Sequence, residues 1–477
     1  MTSLPLRIAL VAGLVGVAGC ATVPRDGGFG DVERDVAGRT GLRVQWNRNS
    51  SSDEAIAAGV RSMLVDELTL EEAVQVALLN NRRLQATYED LGVAQAEVVQ
   101  AGLLRNPVFD GEAKFLEGGE GTVIELAVVQ DFLDVLFIPA RKRIAAAAFE
   151  AEKLRVTGAV LDLAGEVRVA YYTHVAAEQS LDLRKTVVAA TEASFDLARR
   201  LREAGNITAL DLANERALYE QAKLDLARAE ASALETRERL NVLLGLWGTD
   251  TTWSASQKLE DPPPGEVATD GIERQAVEQS IELAAARHSI RSAARTLGLR
   301  RTLGLVPEAE LGVAAEREPD GAWGVGPALS LPIPLFDQGQ AATAGARAGL
   351  ERVRQQYVAT AVEVRSAARR AANRLLTARA RADYIRKVIL PLRHEITTQT
   401  QLQYNAMLIG AFQLLQAKQA EVEAGVEYIG ALREYWIARV DMQQVAGGRT
   451  TGVGRDGDSL ARDPAGSRSG GTDAGGH

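Results

Sequence analysis

The sequence predicts a mainly α protein with a small membrane β part, built as two repeats of long antiparallel helices that each carry one strand hairpin. Three observations predict this. Hydrophobic residues make up 46% of the 477-residue chain but aromatics only 5%, so the apolar mass is largely Ala, Leu and Val, which favours helix. Landmarks recur in order at a spacing near 200: Pro107 and Pro307, Pro139 and Pro334, and "GNITALDLANE" (205–215) against "MLIGAFQLLQA" (407–417). Each repeat also contains two short stretches that alternate apolar and polar residues, the period of a strand.

The chain begins with "MTSLPLRIALVAGLVGVAGC". Arg7 supplies a positive start, and the apolar run of 12 residues that follows is too short for a membrane helix, which needs about 20. Residues 1–19 therefore read as a secretory signal. "VAGC" resembles a bacterial lipobox, which makes Cys20 the acylated first residue of the mature chain. Ala21, where an aspartate would resemble an inner-membrane retention signal, directs it to the outer membrane. Residues 20–68 are then a lipid-anchored N-terminal segment. No other stretch reads as a transmembrane helix, because Asp131 and Asp134 break "LAVVQDFLDVLFI" (126–138).

The first repeat covers 69–248 and the second 271–446, with a Pro/Gly-marked linker at 249–270 ("EDPPPGE"). Each repeat runs in the same order. A helix (69–104, 271–304) leads into a hairpin (106–131, 306–332). A very long helix follows (140–203, 339–403), then a tight turn and a return helix (208–246, 410–444). The 64 residues of 140–203 would span about 96 Å, a length suited to a tube wall. Gly205 and Asn206 tolerate a left-handed turn, and Thr208 with Asp211 has the chemistry of a capping box. Gly410 and Gln413 hold the corresponding places. Residues 447–477, rich in Gly, Ser, Asp and Arg, read as a disordered tail.

The strands put Asp110, Glu112, Glu125, Glu308, Glu310 and Glu316 on one face and residues such as Phe109, Phe115, Ile124, Val313 and Val325 on the other. Strands of about ten residues with this alternation fit a membrane barrel with a wet lumen. Four strands leave open edges, which lipid does not permit. Three chains would supply twelve strands and close the barrel. The proline-stiffened exits at Pro139 and at Pro332 and Pro334 then convert barrel into helical tube, once per repeat.

"LTLEEAVQVALLNN" (68–81), "QAGLLRNPVF" (100–109), "GPALSLPIPLFDQGQ" (326–340) and "LNVLLGL" (240–246) resemble the TolC family of outer-membrane efflux proteins. The resemblance covers about residues 68–446. It implies a homotrimer with a twelve-stranded β-barrel in the outer membrane and an α-barrel through the periplasm. It also implies docking to a periplasmic adaptor and an inner-membrane efflux transporter, with this chain as a passive conduit. The family's gate would map to the helix tips, with Arg199, Arg200, Arg202 and Glu203 facing Gln403, Tyr404 and Asn405, and with Gly205 and Gly410 at the turns. Where some members carry an aspartate ring, residues 394–405 offer only Glu395.

The net charge of −9 argues against a nucleic-acid partner. No CxxC, HExxH, P-loop or GxSxG pattern occurs, so no metal site, cofactor or enzyme activity is expected. His174, His288 and His394 read as isolated structural residues. Two other readings stand beside the efflux channel: the outer duct of a type I protein secretion system, and a surface-anchored coiled-coil scaffold without a pore. The sequence leaves open whether the cargo is metal, drug or protein.

Overall fold

The computed structural model describes residues 22–24, 26–48, 50–115, 122–131, 133–256, 258–265, 269–303, 310–318, 320–331, 333 and 335–450, without the side chains of Ser52 and Ala411. Cys20, Glu308, Pro332, Pro334 and residues 451–477 lie outside these.

Two short helices, α1 (Phe29–Thr40) and α2 (Ser51–Met63), open the chain. In α1, Phe29, Val32 and Val36 are buried, and Phe29 meets Tyr88 edge-on at 4.9 Å between centroids and Trp46 at 5.8 Å. Lys153 reaches Asp31 at 2.6 Å, so the N-terminal segment is pinned to the long helix rather than trailing from it.

The first repeat starts on strand β1 (Glu67–Leu68), and Thr69 and Glu72 form a capping box that launches helix α3 (Leu70–Asn80). The sequence reading ran one helix to 104. The structure breaks it at Asn81, whose side chain accepts from the Leu84 amide at 3.0 Å and starts helix α4 (Arg82–Gln100). Strands β2 (Val108–Phe115) and β3 (Thr122–Asp131) follow. Helix α5 (Asp134–Glu203) then runs 70 residues, about 105 Å, and helix α6 (Ala209–Leu244) returns along it. The second repeat matches. Strand β4 (Ser254–Ala255) pairs in parallel with β1, and helices α7 (Ile272–Gln279) and α8 (Ile281–Leu303) break at Ser280, which caps Leu283 at 3.1 Å. Strands β5 (Glu310–Arg317) and β6 (Trp323–Ser330) precede helix α9 (Gln340–Tyr384), a π-helical turn at Ile385–Ile389, helix α10 (Leu390–Asn405) and the return helix α11 (Ala411–Ala446).

The first proline exit is corrected. Pro139 sits inside α5, which begins at Asp134. What ends β3 is a carboxylate device: Asp131 Oδ1 accepts from the Asp134 amide at 3.1 Å, and Arg141 Nη1 holds Asp134 Oδ1 at 2.7 Å. Pro139 lies within the first two turns, where few intrahelical amide bonds are lost, so the helix tolerates it. In the second repeat Gly339, left-handed at φ 75°, starts α9, and Asp337 accepts its amide at 2.9 Å.

The linker is also more than a spacer. Asp261 accepts from Tyr428 at 2.5 Å and Arg386 at 2.9 Å, and the Glu260 carbonyl accepts from Trp436 at 2.9 Å. Arg386 lies in the π-helical turn, so the linker is tied to the irregular part of the second long helix. Residues 447–450, which the sequence reading gave to the tail, are packed. The Gly448 carbonyl accepts from the Ile281 amide at 2.9 Å, and Arg449 forks onto Asp162, its Nε and Nη2 each at 2.6 Å.

Helix α5 is the hub, touching α1, α3, α4, α6, α8 and α11. On it His174 is 1% exposed, hydrogen-bonded to Thr236 at 3.1 Å and edge-on to Trp253. Burial, with a smaller push from Arg237, lowers its pKa to about 4. Above pH 6.5 the ring is neutral folded or unfolded. Between pH 6.5 and 4 only the unfolded chain takes up the proton, so stability falls as pH falls through that window. Wild type is expected to lose roughly 3 kcal/mol there, and His174→Gln to flatten that part of a thermal-melting pH profile. Equal profiles would refute a neutral buried imidazole.

Candidate functional site

The four strands form one antiparallel sheet in the order β2-β3-β5-β6, leaving β2 and β6 as its two edges. Register sets what each face carries. Glu112 lies opposite Glu125, and Glu125 opposite Glu316, so three carboxylates line up across three strands. Lys114 Nζ sits on the same face, 2.9 Å from Glu125 Oε1 and 3.4 Å from Glu112 Oε2. Asp131 and Glu310 face each other in a second acidic row nearer the helices, and Asp110 stands opposite Ala127. Glu308 is outside the described residues. The other face is apolar and open. Phe109, Val128 and Val313 are neighbours in a row across the sheet, and all are exposed, as are Val325 and Leu329. Among the described residues no helix is long and apolar enough to cross a membrane, and no cluster of His, Cys, Asp and Glu has the makings of a metal site.

At the far end of the helices the two tips share one backbone plan. In the first, Gly205 is left-handed at φ 76°, the Asn206 amide returns to the Leu201 carbonyl at 2.8 Å, and Thr208 with Asp211 closes a capping box. In the second, the Leu408 amide returns to the Gln403 carbonyl at 2.9 Å, and Gly410, in extended conformation, is the N-cap of α11. The left-handed residue there is Met407, at φ 58°. Sequence reasoning missed it because a left-handed methionine is uncommon. Its only signal was its alignment with Gly205.

The tips do not bond to each other within one chain. Arg202 donates to the Ile207 carbonyl at 3.0 Å, Arg199 lies 3.4 Å from Asp196, and Asn405 accepts from Gln401 at 3.0 Å. Arg200 and Tyr404 offer their carbonyls to the closing turns, and Glu203 ends α5. Among the described residues, no hydrogen bond or ion pair joins Arg199, Arg200, Arg202 or Glu203 to Gln403, Tyr404 or Asn405. Above the tips, Glu215 on α6 is 5% exposed; burial raises its pKa, and Lys418 of α11 acts on it in the opposite sense. His394 is not isolated: its Nδ1 lies 2.9 Å from Glu421 Oε1, linking α10 to α11.

The family model for outer membrane efflux proteins matches residues 73–246. The cobalt-zinc-cadmium resistance protein CzcC of Cupriavidus metallidurans is 23% identical over 385 residues, covering 80% of this chain and 90% of the relative. The outer membrane protein OprJ of Pseudomonas aeruginosa is 25% identical over 423 residues, covering 81% and 85%. Among solved structures, CusC superposes with a TM-score of 0.64 at 16% identity, covering 81% of this chain and 93% of that one. The Campylobacter jejuni channel CmeC gives 0.64 at 16% identity, covering 82% and 88%. The chain thus resembles the outer membrane efflux protein family in sequence, through the family model over residues 73–246 and through relatives of 23–25% identity, and it shares the fold of outer-membrane channels.

Proposed function

We propose that three copies of the chain close one twelve-stranded barrel and form the outer-membrane duct of a tripartite efflux assembly. A periplasmic adaptor and an inner-membrane transporter would deliver the cargo, and acyl chains on Cys20 would hold each N-terminus at the same membrane. The observation that carries this reading is a four-stranded sheet with two free edges, one apolar face and one acidic face. Lipid does not tolerate such edges, so neighbouring copies must cover them. Among the described residues each tip bonds within its own hairpin, which leaves Arg199, Arg200, Arg202 and Glu203 of one copy available to Gln403, Tyr404 and Asn405 of the next. Such contacts would hold the periplasmic entrance shut until the adaptor replaces them.

Metal cations are the first choice of cargo. The acidic rows of the sheet favour cations in the lumen, and a relative is named for cobalt, zinc and cadmium resistance. Organic compounds are the second choice, because other relatives are named for toluene and antibiotic efflux. A deletion strain grown against cobalt, zinc, cadmium, dyes, detergents and hydrophobic antibiotics separates these. Selective metal sensitivity, restored by the plasmid-borne gene, is the expected result. Sensitivity to organic compounds alone would transfer the assignment to a multidrug duct. An unchanged panel would favour protein secretion.

A further inference from the structure

The junction between sheet and helices has a chemistry that neither the conduit nor the gate uses. Each repeat leaves its strands through a Leu-Phe pair, Leu136–Phe137 and Leu335–Phe336, 199 residues apart, the same spacing that separates Asn81 from Ser280. Leu136 is 67% exposed, Leu335 69% and Phe336 92%. Leu335 continues the apolar face of the sheet. From Trp323 through Val325, Leu329, Leu331 and Ile333 to Leu335, the exposed side chains fall on alternate residues and pass beyond the last sheet residue, Ser330.

Basic residues crowd directly below. Helix α5 leaves the sheet while α8 returns to it, and the two lie side by side: Arg295 Nη1 donates to the Arg143 carbonyl at 2.6 Å, and Ser292 to the Ile144 carbonyl at 3.4 Å. Arg300 and Arg301 therefore stand about 8 Å nearer the barrel than Arg295, level with the Leu136–Phe137 pair. Residues 134–147 and 291–303 carry seven basic side chains and one carboxylate, Asp134, in a chain whose net charge is −9. Asp134 is committed to Arg141 and Arg105. Lys142, Arg143, Arg300 and Arg301 are exposed, and none pairs with a carboxylate among the described residues.

We infer that this collar binds the anionic phospholipids of the periplasmic leaflet, with the Leu-Phe pairs at the acyl boundary and Lys142, Arg143, Arg300 and Arg301 on the phosphates, the last two reaching them from the level of the pair along their long stems. The inference rests on the outer-membrane reading above. Lys142 and Arg143 lie about 12 to 14 Å along α5 from its start. That is within reach of the headgroup layer once their long stems extend towards it. Each cation near an anionic surface adds to the attraction, and a group of four gives a preference on the order of tenfold for anionic over zwitterionic lipid. In the proposed trimer the group of four cations would recur three times around the barrel and the Leu-Phe pair six times. It would fix the depth at which the duct sits, independently of the anchor at Cys20.

The test uses the full-length protein, purified in detergent, delipidated and incubated with equal amounts of fluorescent phosphatidylglycerol and phosphatidylcholine before size-exclusion separation. Wild type is expected to retain phosphatidylglycerol roughly tenfold over phosphatidylcholine, a ratio that shrinks as salt rises from about 0.05 M to about 0.5 M. The variant with Lys142, Arg143, Arg300 and Arg301 all changed to Gln should bring the ratio to about one. Leu335→Ser with Phe336→Ser should lower total retained lipid and keep the ratio. A wild-type ratio near one, or an unchanged ratio in the Gln variant, overturns the proposal. So does a Gln variant that alters only ion selectivity or trimer association, which would put these charges in the lumen or between copies. Conductance in planar bilayers is read on the same samples. A conducting protein without lipid preference sinks the collar alone, whereas a non-conducting wild type sinks the channel reading.

Discussion

Arg449→Ala is expected to destabilise the folded chain by about 3 to 5 kcal/mol, because it strands two carboxylates that have little access to water. Arg449 Nε and Nη2 each lie 2.6 Å from Asp162, and Nη1 lies 2.7 Å from Glu282. The side chains of Arg449, Asp162 and Glu282 are 18%, 12% and 19% exposed. The carboxylates hold the guanidinium pKa above its ordinary value, against the cost of burial. Asp162 belongs to the long helix of the first repeat and Glu282 to the start of α8 in the second. Thr450 adds two bonds to Glu282, and Arg39 of α1 donates to the carbonyls of Gln279 and Gly447 at 3.0 and 3.1 Å. Four parts of the chain thus meet at the helix break around Ser280.

The check is the temperature at which the detergent-solubilised protein loses its near-UV circular dichroism. Arg449→Ala should lower it by several degrees, and ending the chain after Gly448 should do the same. Gly448→Ala attacks the same knot through the backbone. Gly448 has φ 87°, and a Cβ there would come within 1.9 Å of the Gln279 carbonyl oxygen. Ending the chain after Thr450 should leave the melt unchanged. If Arg449→Ala melts with wild type, the fork contributes nothing and residues 447–450 have no structural role.

That knot was not legible in the sequence, and the reason is physical. "GGRT" has the composition of a flexible tail, and only three-dimensional placement reveals that its arginine reaches two carboxylates more than 160 residues away. Periodicity did reveal the strand faces and the return helices, because packing against one neighbour imposes a period on the sequence itself. Asn81 and Ser280 were readable but missed. Both are N-cap residues sitting inside helical patterns, and a pattern of apolar spacing runs through a cap without registering it. Pro139 misled for the converse reason. A proline looks like a strand exit, yet near a helix start it costs little, and the exit is made instead by Asp131, Asp134 and Arg141. Arg199, Arg200, Arg202 and Glu203 stand beside one helical turn and Gln403, Tyr404 and Asn405 beside the other. The contacts proposed for them lie between copies, which one chain's sequence does not encode locally.

Changing Glu112, Glu125 and Glu316 together to Gln should remove most of the channel's preference for cations. The three carboxylates are cross-strand neighbours, and Lys114 on the same face is the cation beside them. Three acidic side chains against one basic one leave this level of the sheet with an acidic excess of two per chain. In the proposed trimer the excess is threefold and surrounds one lumen. Rings of charged side chains set ion preference because their fields overlap in a narrow pore, where the distance across approaches the screening length of about 8 Å at physiological salt. With the three glutamates made neutral, Lys114 alone remains and the sign at this level inverts. Wild type in a planar bilayer under a salt gradient should show a reversal potential of the cation-selective sign, and the triple variant one near zero. Glu112→Gln alone should fall between them. The substitutions keep side-chain volume, so the barrel should assemble as before, and unchanged single-channel amplitude at high salt would confirm that it has. A triple variant as cation-selective as wild type would mean that these carboxylates do not face the conducting path. The acidic face would then lie outside the lumen, and the sheet would give no reason to favour metal cations as cargo.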